Sequence, residues 1–311
     1  MPATPLFTVI IPTYNRVDHL RSAINSVLRQ TYEPLELIVV DNNCTDGTDA
    51  MVRELAANDP RLRYVRETVQ GLNPARNRGL AEAHGELVAY FDDDELAPTF
   101  WLANLWKCYQ ETDADGVGGG YTPLWEGVPP RWLDNSECFK QVIGAVMRPR
   151  ERQPAEWFGG GNCSYRRTAL VSVGGFGEFV GYRGSGSMAD GADVAVGAKL
   201  RRKGLSLWYE PEAYIIHKIP LARQNLGLIL RRTFWSSYSD AMHDREFDVL
   251  AKAGSAVHRG RDACILAAAV IPGLLYGRLA RLGQRLSQAV VRDDDTPPDP
   301  LATYRPSLCA M

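Results

Sequence analysis

The chain has 311 residues, a formal net charge of −2, and 45% hydrophobic and 23% charged residues. That is the make-up of a soluble globular protein with one large or two small cores. It excludes global disorder and a nucleic-acid binder that works through a basic face. Six cysteines (Cys44, Cys108, Cys138, Cys163, Cys264, Cys309) lie far apart with no Cys-x-x-Cys pair. They read as reduced thiols of a cytoplasmic protein rather than as a disulfide framework or a zinc site. No basic-then-apolar leader precedes the first strand, so no signal peptide is expected.

The first third alternates strand and helix. Phe7-Thr8-Val9-Ile10-Ile11-Pro12 reads as a buried strand, and Val17 to Gln30 as a helix with Leu20, Ala23, Ile24, Val27 and Leu28 at helical spacing. Leu35 to Val40 is a second strand ending at Asp41, and Thr45 to Leu55 a helix. Leu62 to Val65 is a third strand, Asn73 to His84 a helix and Leu87 to Phe91 a fourth strand. This alternation predicts an α/β fold with a mostly parallel sheet and helices on both faces. Ligands of such sheets bind beyond the carboxyl ends of the strands, where Pro12, Asp41 and Asp92 fall.

Further along, Trp101 to Glu111 reads as a helix, Gly116 to Tyr121 as a strand and Pro123 to Pro154 as an irregular surface segment. Helices are expected over Arg167 to Val173 and Asp193 to Lys203, the second after a Gly-rich loop from Gly181 to Gly191 and stopped by Gly204. Leu205 to Tyr209 and Ala213 to His217 read as strands. Beyond Ala222 the pattern turns helical and basic. Residues 263–276 are strongly apolar but interrupted by Pro272, and too short for a transmembrane span, which takes about 20 residues. Two readings stand for residues 263–285: a helix at the surface of an anionic membrane, and a helix packed on the preceding domain. Asp293 to Met311, rich in Pro and Asp, reads as disordered. The expected division is 1–115 and 116–221 as two halves of one domain, 222–291 as a helical region, and 292–311 as a tail.

The most informative stretch is Leu87-Val88-Ala89-Tyr90-Phe91-Asp92-Asp93-Asp94-Glu95, a buried strand that runs into four carboxylates. Like charges at a strand end repel and raise one another's pKa. A divalent cation on oxygen ligands would relieve the conflict, and an Asp-x-Asp spacing aims Asp92 and Asp94 to one side. The competing reading is a solvated acidic loop. Other positions carry the same two-sided reading. Tyr14 could cover a flat ring or pack under its loop. Asp41 could accept from a nucleobase N–H or a ribose hydroxyl, or cap the next helix. Arg76 and Arg78 could draw an anion to a helix start, or be surface charges.

Taken together, several motifs closely resemble those of family 2 glycosyltransferases, which have the GT-A fold. They are Val9 to Arg16, Leu37-Ile38-Val39-Val40-Asp41-Asn42, Ala75-Arg76-Asn77-Arg78-Gly79-Leu80, Phe91-Asp92-Asp93-Asp94, Gly160-Gly161-Asn162, and Gly191-Ala192-Asp193 with Leu200 and Gly204. The resemblance spans roughly residues 6 to 220. It implies transfer of a sugar from a nucleotide donor with inversion, aided by Mn²⁺ or Mg²⁺. Pro12, Thr13, Tyr14, Arg16, Asp41, Arg76, Asp92 and Asp93 would hold the donor, with Arg76 near the base or diphosphate. Asp94 would ligate the metal, with Asp92 and His217 beside it, and Asp193 would be the general base. Trp157, Gly160, Gly161 and Asn162 would form a loop on the acceptor side. For Asp193 a helix N-cap, and for His217 a satisfied buried histidine, are the structural alternatives.

Two departures stand out. The family often has Glu-Asp where this chain has Ala192-Asp193, which bears on acceptor choice. Arg231-Arg232-Thr233-Phe234-Trp235 lacks the Gln-x-x-Arg-Trp pattern of processive polysaccharide synthases, which points to single-sugar transfer. The expected partners are a nucleoside-diphosphate sugar, with UDP or dTDP favoured, and a glycan, lipid-linked or small-molecule acceptor. No nucleic acid is expected. The expected location is cytoplasmic, with peripheral contact at the inner membrane face through 263–285. Two rivals remain. A nucleotidyltransferase should carry a Gly-rich, Lys- or Arg-bearing loop after the first strand, where this chain has Pro12-Thr13-Tyr14-Asn15. A catalytically silent nucleotide-binding module is supported by Ala192 alone.

Overall fold

A computed structural model describes residues 4–145, 149–177, 192–230 and 232. The expected Gly-rich loop at 181–191 and the segment 233–311, with its apolar stretch and tail, lie outside the described residues. The chain forms two compact units, residues 1–128 with 144–220, and residues 129–143 with 221–311.

The first unit is an α/β fold. Its first elements are β1 (Phe7–Thr13), α1 (Val17–Leu28), β2 (Leu35–Asp41), α2 (Thr48–Ala56), β3 (Leu62–Arg66), α3 (Leu72–Glu82) and β4 (Leu87–Tyr90). Strand β1 lies between β2 and β4 and is parallel to both, and β2 is parallel to β3. Every residue of β1, β2 and β4 is buried, which is why these strands read as mostly apolar runs rather than alternating ones. Strand pleating divides their side chains between two cores. Phe7, Val9, Ile11, Leu37 and Val39 pack on one face with Leu20, Ile24 and Val27 of α1. Ile10, Ile38, Val40, Val88 and Tyr90 pack on the other with Ala75 and Leu80 of α3.

The next elements are β5 (Glu95–Leu96), α4 (Trp101–Thr112), β6 (Gly116–Gly118) and β7 (Tyr121–Trp125). The strand expected over Gly116 to Tyr121 is thus two strands in different sheets. The stretch Pro123 to Pro154, expected to be irregular, also carries structure. It holds the end of β7, the short helices α5 (Arg131–Asp134) and α6 (Glu137–Val142), and β8 (Gln153–Pro154). Helices α5 and α6 belong to the second unit. There Leu133 is buried, the rings of Trp132 and Phe139 meet edge-on at 5.8 Å, and Arg232 donates to the Val142 carbonyl.

A strand missed in the sequence, β9 (Cys163–Arg166), inserts antiparallel between β4 and β6. Then come α7 (Arg167–Ser172), α8 (Ala192–Arg202), β10 (Leu207–Tyr209) and β11 (Ile215–Ile219). The large sheet has eight strands in the order β3-β2-β1-β4-β9-β6-β10-β8, and a second sheet has the order β5-β11-β7. The large sheet therefore runs through residues 1–115 and 116–221 alike. In β11, His217 pairs with Glu95 of β5, so the small sheet brings a distant histidine to the acidic run.

Candidate active site

Parallel pairing sets the end of β1 beside the end of β2, with Thr13 opposite Asp41. The chain leaves the neighbouring β4 directly into Asp92–Glu95, so all three strand ends open on one edge. Hydrogen bonds then sort the four carboxylates into two groups. Asp93 accepts from the Thr13 hydroxyl at 2.8 Å, and the Arg16 guanidinium reaches Asp93 at 3.3 Å and Asp94 at 2.7 Å. Glu95, 1% exposed, accepts from the Asp92 backbone N–H at 2.8 Å. Burial pushes the Asp93 carboxyl up to about 7; Arg16 opposes this and the adjoining Asp94 adds to it. Burial, then Asp92 and Asp94, hold the Glu95 carboxyl well above the usual range.

Asp92, Asp94 and Glu95 each present an oxygen within 4.8 Å of the others. Three hard oxygen donors converge there. That donor set fits Mg²⁺ or Mn²⁺ and would suit neither a soft metal nor a bare anion. Glu95, the last residue of the acidic run, joins the cluster because it packs back onto the Asp92 amide. His217 approaches from β11. It is 6% exposed, its Nδ1–H donates to the Gly144 carbonyl at 2.9 Å, and its Nε2 lies 3.6 Å from Asp94 Oδ1. The ring is thus held as a buried histidine would be, with its other nitrogen turned to the acidic cluster.

On the other side Arg76, from α3, donates to Asp193 Oδ1 at 2.9 Å and lies 3.9 Å from Asp92 Oδ1. It is 3% exposed, and its guanidinium stands 5.0 Å from the Phe176 ring centre. Despite burial, Asp193 and Asp92 raise its pKa and keep it charged. Of the two readings of Arg76, the surface charge is corrected: it is buried and bridges two carboxylates. Arg78 is the surface charge, paired with Glu82 one turn on. Gly160 and Gly161 make room for this arrangement. A Cβ on Gly160 would stand 2.2 Å from Arg76 and 2.8 Å from both Asp193 oxygens, and one on Gly161 would stand 2.2 Å from Glu95.

Other expected site residues fall differently. Asp41 is buried and takes the Cys44 N–H on one oxygen and the Tyr64 hydroxyl, at 2.8 Å, on the other. Burial and then Asp41 push the Tyr64 hydroxyl up to about 12. Asp41 does not cap the next helix, which starts at Thr48 with Asp46 accepting from the Thr48 N–H and hydroxyl. Pro12 and Thr13 are buried at the strand end, whereas Tyr14 and Trp157 are well exposed at 44% and 42%. Asn162 is wholly buried. It accepts from the Trp101 indole N–H and donates to the carbonyls of Gly120 and Ala213, so it braces its loop from inside.

A mostly parallel α/β sheet with an Asp-x-Asp cluster at its carboxyl edge defines an α/β protein with a ligand site at that edge. The family model "Glycosyl transferase family 2" matches residues 8–174, and the chain belongs to that family. It is a glycosyltransferase with the GT-A fold that moves a sugar from a nucleotide sugar to an acceptor, and not a nucleotidyltransferase. A Haloferax volcanii protein, glucosyl-dolichyl phosphate glucuronosyltransferase, is 28% identical over 243 residues, 76% of this chain and 77% of that protein. The Campylobacter jejuni GalNAc(5)-diNAcBac-PP-undecaprenol beta-1,3-glucosyltransferase is 41% identical over 116 residues, 37% of this chain and 38% of that one. Several other curated relatives are likewise matched over less than half of their length. Among solved structures, the mannosyltransferase PcManGT of Pyrobaculum calidifontis, in complex with GDP-Man and Mn²⁺, shares the fold. It has a TM-score of 0.53 and 22% identity, with coverage of 94% of this chain and 88% of that one.

Proposed function

We propose that the chain transfers a single sugar, with inversion, from a UDP- or dTDP-sugar to the hydroxyl of a lipid-linked acceptor. The observation that carries this reading is the Arg76 bridge. One guanidinium spans Asp193 and Asp92, so a base for the acceptor hydroxyl and the carboxylates of the donor's diphosphate site face one small space. Asp193 takes the acceptor proton as the C–O bond forms, a contribution of about 10²–10⁴-fold. Arg76 keeps Asp193 in place, and Gly160 leaves the room both need. Asp94, with Asp92, Glu95 and Nε2 of His217, is the site for Mn²⁺ or Mg²⁺. When bound there, the ion would neutralise charge on the leaving diphosphate. Tyr14 covers the nucleobase, and Asp41, held by Cys44 and Tyr64, accepts from its N–H with a remaining lone pair.

The lipid-linked acceptor is supported by the dolichyl and undecaprenol compounds named for two relatives. The donor base is the less constrained part of the proposal, because a neighbour of the same fold holds GDP-Man. Among the described residues no helix is long and apolar enough to cross a membrane. A cytoplasmic enzyme meeting the inner membrane face through residues 263–285 fits a lipid-linked acceptor. The test is calorimetric binding of UDP, dTDP and GDP, with and without Mn²⁺, to wild type and Asp94→Ala. Metal-dependent binding of one diphosphate, lost in the variant, supports the reading. Binding of no nucleotide overturns it.

A further inference from the structure

Two guanidinium groups serve the acidic edge, and they differ in exposure. Arg76 is 3% exposed and locked between α3, the Phe176 ring and Asp193. The Arg16 side chain is 40% exposed, yet it makes the shorter contact of the two with the acidic run, 2.7 Å to Asp94 Oδ2, and also reaches Asp93. Arg16 stands just before α1 and makes no side-chain cap bond to it, so the helix does not depend on where the guanidinium points. A further cation near this pair is restrained differently: the Lys218 ammonium donates to Ser22, and its backbone N–H donates to the Asp94 carbonyl.

Asp94 is also the residue on which the proposed metal site turns. An oxygen that accepts a guanidinium N–H at 2.7 Å has that lone pair committed, and a positive group so close repels a dication. We propose that Arg16 is an internal counter-ion that holds Asp93 and Asp94 until a divalent cation displaces it. We infer further that the displaced guanidinium turns to the diphosphate, so ion and nucleotide each favour the binding of the other. This rests on the reading of Asp94 as a metal ligand. The coupling is reciprocal by linkage: whatever UDP adds to Mn²⁺ affinity, Mn²⁺ adds to UDP affinity. An exposed side chain suits the exchange because it loses little packing when it moves.

The test is Mn²⁺ binding, followed by the EPR signal of the free ion, to wild type and Arg16→Gln, each with and without UDP. Without nucleotide, the variant should bind Mn²⁺ about tenfold more tightly, the gain expected from removing one nearby positive charge and its competing contact. The ratio of Mn²⁺ affinities with and without UDP should narrow in the variant. Arg16→Lys, which keeps the charge and loses the fork, should fall between the two and serves the same comparison should the Gln variant not fold. An unaltered Mn²⁺ affinity, or an unaltered ratio, overturns the exchange while leaving the metal reading intact. Failure of Mn²⁺ to bind either protein under any of these conditions overturns the metal reading itself.

Discussion

The two edges of the large sheet treat buried carboxylates in opposite ways. At the amino ends, Glu36 of β2 accepts from the Thr8 hydroxyl, the His84 backbone N–H and His84 Nδ1, with Arg63 at 3.5 Å. Burial opposes its charge, but these donors outweigh it and hold its pKa below the ordinary value. At the carboxyl ends, Asp93 and Glu95 are buried beside other carboxylates and are driven up. One edge satisfies its charge and the other leaves charge in conflict. Since an unresolved conflict costs stability, the edge that keeps it is the edge with chemistry to perform.

That contrast can be broken by substitution, and the largest effect belongs to Asp94. Asp94→Ala should abolish Mn²⁺-dependent nucleotide binding in calorimetry while the melting temperature holds. Retained metal-dependent binding would move the ion site elsewhere. Asp193→Asn should leave nucleotide binding intact and slow nucleoside diphosphate release from UDP-, dTDP- and GDP-sugars, in the presence of lipid-linked acceptors, by about 10²–10⁴-fold. A loss of binding instead would place Asp193 on the donor.

At the opposite edge the effect should be on stability alone. Glu36→Gln should cost about 1–3 kcal/mol, because it strands donors that Glu36 now satisfies, and should leave nucleotide binding unchanged. Glu36 has a lowered folded pKa, so its contribution is present above the unfolded value near 4.5 and is lost as pH falls through the folded one. The variant should therefore differ most from wild type at neutral pH and least in acid. Asp93 has the reverse sign. Its folded pKa is raised to about 7 from 3.8, so its contribution is present in acid and is lost as pH rises through about 7. Asp93→Asn, which cannot ionise, should flatten the decline in melting temperature between pH 5 and 8. A profile parallel to wild type would mean that Asp93 is charged throughout that range.

The alternation of strands and helices through residue 91 was legible because a strand buried on both faces is mostly apolar, and three such runs recur between helices. Ends were less legible: β4 stops at Tyr90 and β11 extends to Ile219, one and two residues from the expected limits. Strand β9 is not legible in the sequence because four residues, Cys163 to Arg166, are too few to show a period. They count as a strand only through β4 and β6 on either side. Asn162 stood out as part of a motif, but its role as a brace follows from Trp101, Gly120 and Ala213, none of them near it in sequence.

The sequence by itself determined the parallel core, the edge on which the strands end and the acidic run that marks it. Those properties are local, carried by hydrophobic period and by residues adjacent in the chain. Only the tertiary structure decided which charges meet. Arg76 lies 117 residues from Asp193, Arg16 lies 78 from Asp94, and His217 reaches the cluster because β11 pairs with β5. Ionic contacts form wherever the packed backbone delivers their atoms within a few ångströms, and no periodicity in the chain encodes that distance.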